Sequence, residues 1–357
     1  MGKYLHVFSD APYTEKFIRF IEKYFDPNEH EFIILCQKQS KFLDFYKQRK
    51  NCKVTYTKNI YFNFKDLFKH SKKIIIHQLN KPILMLSLII FYKKAFKKMV
   101  WSIWGGDVYF YKYKSNSFKD NMIELLRKIV IAKIPLISYW IKGDYLKVKE
   151  VYKSKAKGIK AKYPSPIDIA KIENIKLDVH KQEDPVRIFV GNSADPSNEH
   201  IETFKLLQKF QNENIEVVSV LSYGGSEHYR EEVMATGKEF FKNKFKPIST
   251  YMNFNEYLSF INSMDICVFN HKRQQGLGNQ LVFFILEKKV FISHTTTPFS
   301  TYKDLGIDIY STEDIVKLDF QNFITQSKDK KKESRRLTLE DMSEECIMNE
   351  WNEVFNA

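Results

Sequence analysis

Short β-rich runs alternate with helical patterns from Tyr4 onward, and that alternation leaves few folds open. Residues 4–8, 31–36, 53–56, 73–78, 99–104 and 135–139 read as strands. Between them, residues 13–24, 64–70, 82–98 and 117–133 carry helical periodicity. Ile74, Ile75 and Ile76 form a continuous β-branched run, the mark of a strand buried on both faces. Pro82 stands where a helix starts and its missing N–H does little harm. Strands that return through helices pair in parallel, so the expectation is a parallel sheet covered by helices.

Residues 153–184 interrupt the pattern. They are Lys-rich, contain Pro164 and Pro166, and end in His180-Lys181-Gln182-Glu183-Asp184, which suggests an interdomain connection near 175–185. The alternation then restarts, with strands at 186–190, 215–221, 265–269 and 289–293 and helices between them. A terminal helix over 338–355 follows a charged run at 328–336. The expected class is α/β: two doubly wound domains facing a cleft, over 1–180 and 181–337. A C-terminal helix over 338–357 is placed to pack back on the first domain. The 357 residues fit this, at about 150 per domain.

Composition excludes several classes. A hydrophobic share of 43% excludes global disorder. Cys36, Cys52, Cys267 and Cys346 are too scattered for a zinc ribbon or a disulfide scaffold, and the nine His residues show no zinc spacing. No two Asp residues stand two apart, so no Asp-x-Asp metal motif exists. Residues 1–10 lack a signal-peptide pattern, and the longest apolar run, 83–92, is too short to span a bilayer. A cytoplasmic chain, soluble or peripheral, is expected. The net charge of +14 is mostly Lys and suits a solvated surface, an anionic membrane or a phosphorylated substrate. Nucleic acid is not expected, because the aromatics are not interleaved with a basic stripe. Residues 83–101 mix an apolar run with Lys93, Lys94, Lys97 and Lys98, readable as a membrane-surface element or as a buried helix with a basic end.

Three loops follow strands and carry chemistry-bearing residues. Gly191-Asn192-Ser193-Ala194-Asp195-Pro196-Ser197-Asn198-Glu199-His200 opens a helix and reads either as a capped turn or as an anion site, with Ser197 or Asn198 as N-cap. Asn270-His271-Lys272-Arg273-Gln274-Gln275-Gly276-Leu277-Gly278-Asn279 offers two glycines for close backbone approach and a forked guanidinium for a diphosphate. Trp101-Ser102-Ile103-Trp104-Gly105-Gly106-Asp107-Val108-Tyr109 ends a strand of the first domain. There Asp107 reads as an acceptor-side base or as a turn cap, and His77 as a second candidate base or a buried structural residue. Tyr223-Gly224-Gly225 ends another strand and is placed to meet a base or a phosphate.

Together, Trp104-Gly105-Gly106-Asp107-x-Tyr109, the Gly191–His200 run and Arg273-Gln274-Gln275-Gly276-x-Gly278 resemble the TDP-4-acetamido-4,6-dideoxygalactose (TDP-Fuc4NAc) transferases of enterobacterial common antigen synthesis, glycosyltransferase family 56. The resemblance implies a metal-independent GT-B glycosyltransferase with two Rossmann-like domains. It implies transfer of an amino-deoxy sugar from a TDP donor to a polyprenyl-diphosphate-linked saccharide, peripherally at the inner membrane face, with no cofactor beyond the nucleotide sugar. Donor binding then falls to Asn192, Ser193, Asn198, His200, Tyr223, Arg273, Gln274, Gln275, Gly276 and Gly278, and catalysis to Asp107 with His77 second. The competing readings are a nucleotide-sugar-processing enzyme without a lipid acceptor and a non-catalytic basic binding protein.

Overall fold

A computed structural model describes residues 2–36, 40–56, 64–164, 168–178 and 180–357. The chain divides into two units, Met1–Pro166 with Met342–Ala357, and Ile167–Asp341. The first break lies before the expected connection, and residues 168–178 and His180 pack within unit 2. Ile172 is buried, Asn262 Nδ2 donates to the Lys176 carbonyl (3.0 Å) and His180 pairs with Asp265 (3.3 Å).

Unit 1 holds seven strands: β1 Tyr4–Ser9, β2 His30–Cys36, β3 Cys52–Tyr56, β4 Lys73–His77, β5 Met99–Ser102, β6 Leu136–Tyr139 and β7 Lys157–Lys160. Unit 2 holds β8 Val186–Val190, β9 Ile215–Val220, β10 Phe245–Ile248, β11 Ile266–Phe269, β12 Lys289–Ile292 and β13 Tyr310–Ser311. The sheet orders are β3-β2-β1-β4-β5-β6-β7 and β10-β9-β8-β11-β12-β13. The strand pairs are parallel. In each sheet the strand order reverses once, between β1 and β4 in unit 1 and between β8 and β11 in unit 2. Ligands of open parallel sheets bind outside the carboxyl ends of the strands at that reversal.

Alternation along the strands gives unit 1 two different faces. Leu5, Val7, Ile33, Ile74, Ile76 and Trp101 join an aliphatic core under the helices Pro82–Ile90 and Phe118–Ile131. The opposite face carries His30, His6 and His77 on neighbouring strands β2, β1 and β4. The helix Glu344–Asn356 covers it, placing Phe355 against His6 and His30 and Trp351 against His77. That helix is fixed by Trp351 Nε1 donating to the Lys162 carbonyl (2.7 Å). It is also fixed by Glu350, which takes the Lys162 backbone N–H (2.8 Å) and its ammonium (2.5 Å).

Two further differences from the sequence reading bear on the site. The expected helix over 82–98 ends at Ile90, and Lys93–Lys98 form a separate 3-10 turn. The charged run at 328–336 is itself helical, within Lys328–Asp341.

Candidate active site

At the reversal point of unit 2, Gly191 follows β8 with φ +71°, and a Cβ there would lie 2.5 Å from His200 Nε2. The loop after it is braced from within. Asn198 Oδ1 accepts the Asn192 N–H (2.8 Å), while its Nδ2 donates to Ser193 Oγ (3.2 Å) and the Asp195 carbonyl (2.9 Å). Asp195, rather than Ser197 or Asn198, provides the cap, accepting from Ser197 N (2.9 Å) and Oγ (2.5 Å). Glu199, at φ +54°, then starts the helix His200–Leu207, which has no side-chain cap. Asn198 thus spends its amide on bracing the loop, while Ser193 Oγ accepts from Asn198 and Asp195 and keeps its own O–H to donate.

The loop after β11 is tied to this one. The Lys272 N–H donates to the Ser197 carbonyl (3.0 Å), and Ser197 Oγ, whose proton goes to Asp195, lies 2.8 Å from the Gln275 side-chain amide. Gly276, at φ +67°, begins the helix Leu277–Ile285, again with no side-chain cap. A Cβ on Gly276 would lie 2.8 Å from Asn192 Oδ1, so the two loops meet where only glycine fits. Tyr223, after β9, is exposed and donates to the Asn192 carbonyl (2.6 Å). Two uncapped helix N-termini thus lie on adjoining strand ends, with N–H groups and dipoles available to an anion.

Four buried polar atoms in these loops have no hydrogen-bond partner among the described residues: Nε2 of His200, Nε2 of His271, Oδ1 of Asn192 and Nε2 of Gln275. Native interiors rarely leave such atoms unpaired, so a cluster of four makes these loops the candidate ligand surface. Burial holds the His200 imidazole down at about 4 and His271 at about 3. Both are neutral at pH 7 and act as hydrogen-bonding groups. Positive charge comes from Arg273, which is half-buried and spends one N–H on the Gln274 carbonyl (3.2 Å). Gln274 lies in the same loop, and Gly278 in the first turn of the helix after it.

His271 was not singled out from the sequence, although it stands two residues before Arg273 in a loop already marked. A second omission is Glu313. It accepts from Ser293 Oγ (2.8 Å) and Thr312 Oγ1 (3.1 Å) and pairs with His294 Nδ1 (2.9 Å), at the carboxyl ends of β12 and β13. Burial works to raise its pKa, but hydrogen bonds from Ser311, His294 and Ser293 outweigh it and hold the carboxyl at about 2. Thr312 Oγ1 also reaches Asn270 Oδ1 (2.8 Å), joining this cluster to the Arg273 loop. No spacing in the sequence announces Glu313, because its partners Ser293 and His294 come from a strand end about twenty residues away.

In unit 1 the reversal point is a crevice lined by Phe8, Ser9, Tyr13, His77, Gln78 and Trp104, among others. Gln78 is held at φ +70°, a conformation that costs a non-glycine residue about 1–3 kcal/mol and clusters at functional sites. Both expected bases are engaged in internal hydrogen bonds. Asp107 Oδ1 accepts the Trp104 N–H (2.8 Å), and Oδ2 accepts the Leu79 N–H (2.8 Å) and Trp101 Nε1–H (2.9 Å). Burial raises its pKa, against the opposing pull of Arg127 and these donors. It caps the turn from a buried position with three donors converging on it, which favours the cap over the base among the two readings. His77 has both ring nitrogens engaged as well: Nε2 meets His6 Nδ1 (3.0 Å) and Nδ1 meets Tyr163 OH. Tyr163 donates on to Ser102 Oγ (3.1 Å), and His6 Nε2 meets His30 Nδ1 (3.0 Å). One tautomer, Nδ1–H on all three rings, satisfies the whole row.

A family model described as 4-alpha-L-fucosyltransferase, glycosyl transferase group 56, matches residues 1–333. The chain belongs to that family. The group 56 chain is a glycosyltransferase, and its fold is shared with other sugar-nucleotide enzymes. A glycosyltransferase from Rickettsia africae is 13% identical, with a TM-score of 0.68 over 100% of this chain and 98% of that one. The Anabaena HepE protein in complex with UDP is 8% identical, TM-score 0.65, over 99% of each chain. A UDP-forming trehalose-phosphate synthase from Burkholderia vietnamiensis is 7% identical, TM-score 0.64, over 99% and 100%. At these identities the likeness establishes the GT-B fold, two Rossmann-like sheets, and nothing finer.

Proposed function

We propose that this group 56 enzyme transfers a 4-acetamido-4,6-dideoxy sugar from a TDP-linked donor to a polyprenyl-diphosphate-linked saccharide, as a peripheral protein at the inner membrane face. The observation that carries the donor half is the set of four unpartnered polar atoms beside Arg273, at the point where parallel sheets bind ligands. In this reading the acceptor hydroxyl oxygen bonds to the anomeric carbon. The bond from that carbon to the diphosphate breaks, the electron pair leaves on the diphosphate, and the acceptor hydroxyl's proton passes to a departing diphosphate oxygen. Charge therefore grows on the leaving group, where Arg273 and the N–H groups opening His200–Leu207 and Leu277–Ile285 stabilise it. Neutral His200 and His271 and the Asn192 and Gln275 amides supply orientation without further charge. Tyr223 offers an exposed ring to the base. The acceptor belongs with unit 1, where the Gln78 crevice lies.

Thermal unfolding with TDP, UDP, GDP, ADP and CDP tests this. A ligand at about 100 times its Kd stabilises by about 2.7 kcal/mol. The expected result is a shift with TDP above the others, lost in Arg273→Ala. No shift with any nucleotide, or an unchanged shift in Arg273→Ala, would remove the donor assignment.

A further inference from the structure

From Leu67 to Gly106 the sequence contains eight lysines and no Asp or Glu, so this stretch of unit 1 brings positive charge without its own counter-charge. Within it, the helix Pro82–Ile90 has no charged residue on any side. Leu84, Met85 and Leu88 face the core, while Ile83 and Leu86 are half-exposed and Ile90 and Phe91 are exposed at its end. A helix apolar all round belongs inside a protein or against lipid, yet one side of this one faces outward. The helix Phe118–Ile131 packs beside it and, although it carries Lys119, Asp120 and Lys128 outside the core, also turns apolar side chains outward. Phe118, Met122 and Leu125, spaced four and three apart, are 81%, 42% and 50% exposed. The two helices thus present neighbouring apolar stripes on one side of unit 1.

Charge is concentrated at the foot of the first helix. A cavity of about 580 Å³ opens there, floored by Phe68 and Tyr92, whose rings stack at 4.4 Å, and walled by Ile90 and Phe91. Lys65, Lys69, Lys93 and Lys94 rim it, exposed and with no acidic partner among the described residues. Lys98 differs, since its ammonium is spent on the carbonyls of Lys69 (2.9 Å) and Ser71 (2.6 Å), closing the cavity wall. Apolar side chains projecting between unpaired lysines match a phospholipid interface, where hydrocarbon and phosphate lie at adjacent depths. Nucleic acid would use the lysines and leave the Phe118, Met122 and Leu125 stripe in water. No helix among the described residues is long and apolar enough to cross a membrane, so attachment through this face is interfacial.

We propose that this side of unit 1 docks on an anionic phospholipid bilayer. Ile90, Phe91 and the Phe118, Met122 and Leu125 stripe enter the interface, and Lys65, Lys69, Lys93 and Lys94 meet lipid phosphates. The inference rests on the lipid-linked acceptor reading and deepens it. The Pro82–Ile90 helix starts beside the β4 carboxyl end and runs about 14 Å to the opposite edge of the sheet. Lying along the bilayer, it brings the crevice at its start close to the headgroups.

Co-sedimentation of the full chain with phosphatidylcholine vesicles, with and without about 30 mol% phosphatidylglycerol, tests the proposal. Binding is expected with phosphatidylglycerol and not without it, weakening as salt rises. Lys93→Glu/Lys94→Glu and Phe118→Ser/Met122→Ser are each expected to lower it by about tenfold or more, with the unfolding midpoint and the TDP-induced shift unchanged. Equal binding to both vesicles, no binding, unaltered binding by both variants, or RNA binding lost in the Lys variant instead would overturn it. A TDP shift without vesicle binding sinks this face alone. Vesicle binding without any nucleotide shift sinks the donor reading and leaves the face standing.

Discussion

Asp107 separates two jobs that a carboxylate at a strand end can do. A base needs an unengaged oxygen in reach of its substrate, whereas Asp107 gives its oxygens to three N–H donors from residues 79, 101 and 104. Arg127, buried beside it, donates to the carbonyls of Leu79 and Asp107 and so fixes the same turn. Asp107→Asn is expected to lower stability by about 1–3 kcal/mol, since an amide turns an N–H toward at least one of those donors. Denaturant midpoints measure the loss, and the transfer rate per folded molecule should stay within a few-fold of wild type. A rate collapse at unchanged stability would restore the base reading. The sequence left cap and base both open here because the deciding partners, Leu79 and Arg127, stand far from Asp107 along the chain. Arg273 stands out locally, as a rare Arg among glycines after a strand, and the nucleotide-shift measurement decides its role.

At the scale of elements, what could be read was the interior. Central strands such as β4 announce themselves because both faces are buried, so every residue of Lys73–His77 is covered and most are β-branched. The edge strands β7, β10 and β13 escaped, since an edge position asks for few apolar residues, and Lys157–Lys160 contains one Ile between Gly and Lys. The donor loops were visible as glycine-bearing turns between strand and helix, but their mutual contact was not. That contact makes Gly276 the hinge of the site. Gly276→Ala would put a methyl 2.8 Å from Asn192 Oδ1 at a left-handed φ. The expected cost is about 1–2 kcal/mol of stability, together with loss of most of the TDP-induced shift as Asn192 is displaced. A variant with a full nucleotide shift would show that Asn192 does not line the donor site.

Across the whole molecule, buried imidazoles set the acid limit. Burial holds His30 and His200 at about 4 and His271 at about 3, and pushes His6 and His77 well below their ordinary value. Unfolded, each titrates near 6.5, so below that pH the unfolded chain binds protons that the folded chain refuses. Their contribution is intact above pH 6.5 and is lost as pH falls toward 4. At pH 5 the loss is about 1–2 kcal/mol per histidine. Urea midpoints at pH 7.5 and pH 5 measure it, and equal midpoints would show that the rings are hydrated. In unit 1 the helix Glu344–Asn356 keeps water from this row, with Trp351 and Phe355 buried against it. Its place in the chain imposes an order on biosynthesis. The strands bearing His6, His30 and His77 leave the ribosome early, but their cover follows only after all of Ile167–Asp341 has been made. At about 5–20 residues per second that wait is roughly 10–35 s. The domain begun first is finished last, and a nascent chain spends that interval with its histidine face open to chaperones and proteases.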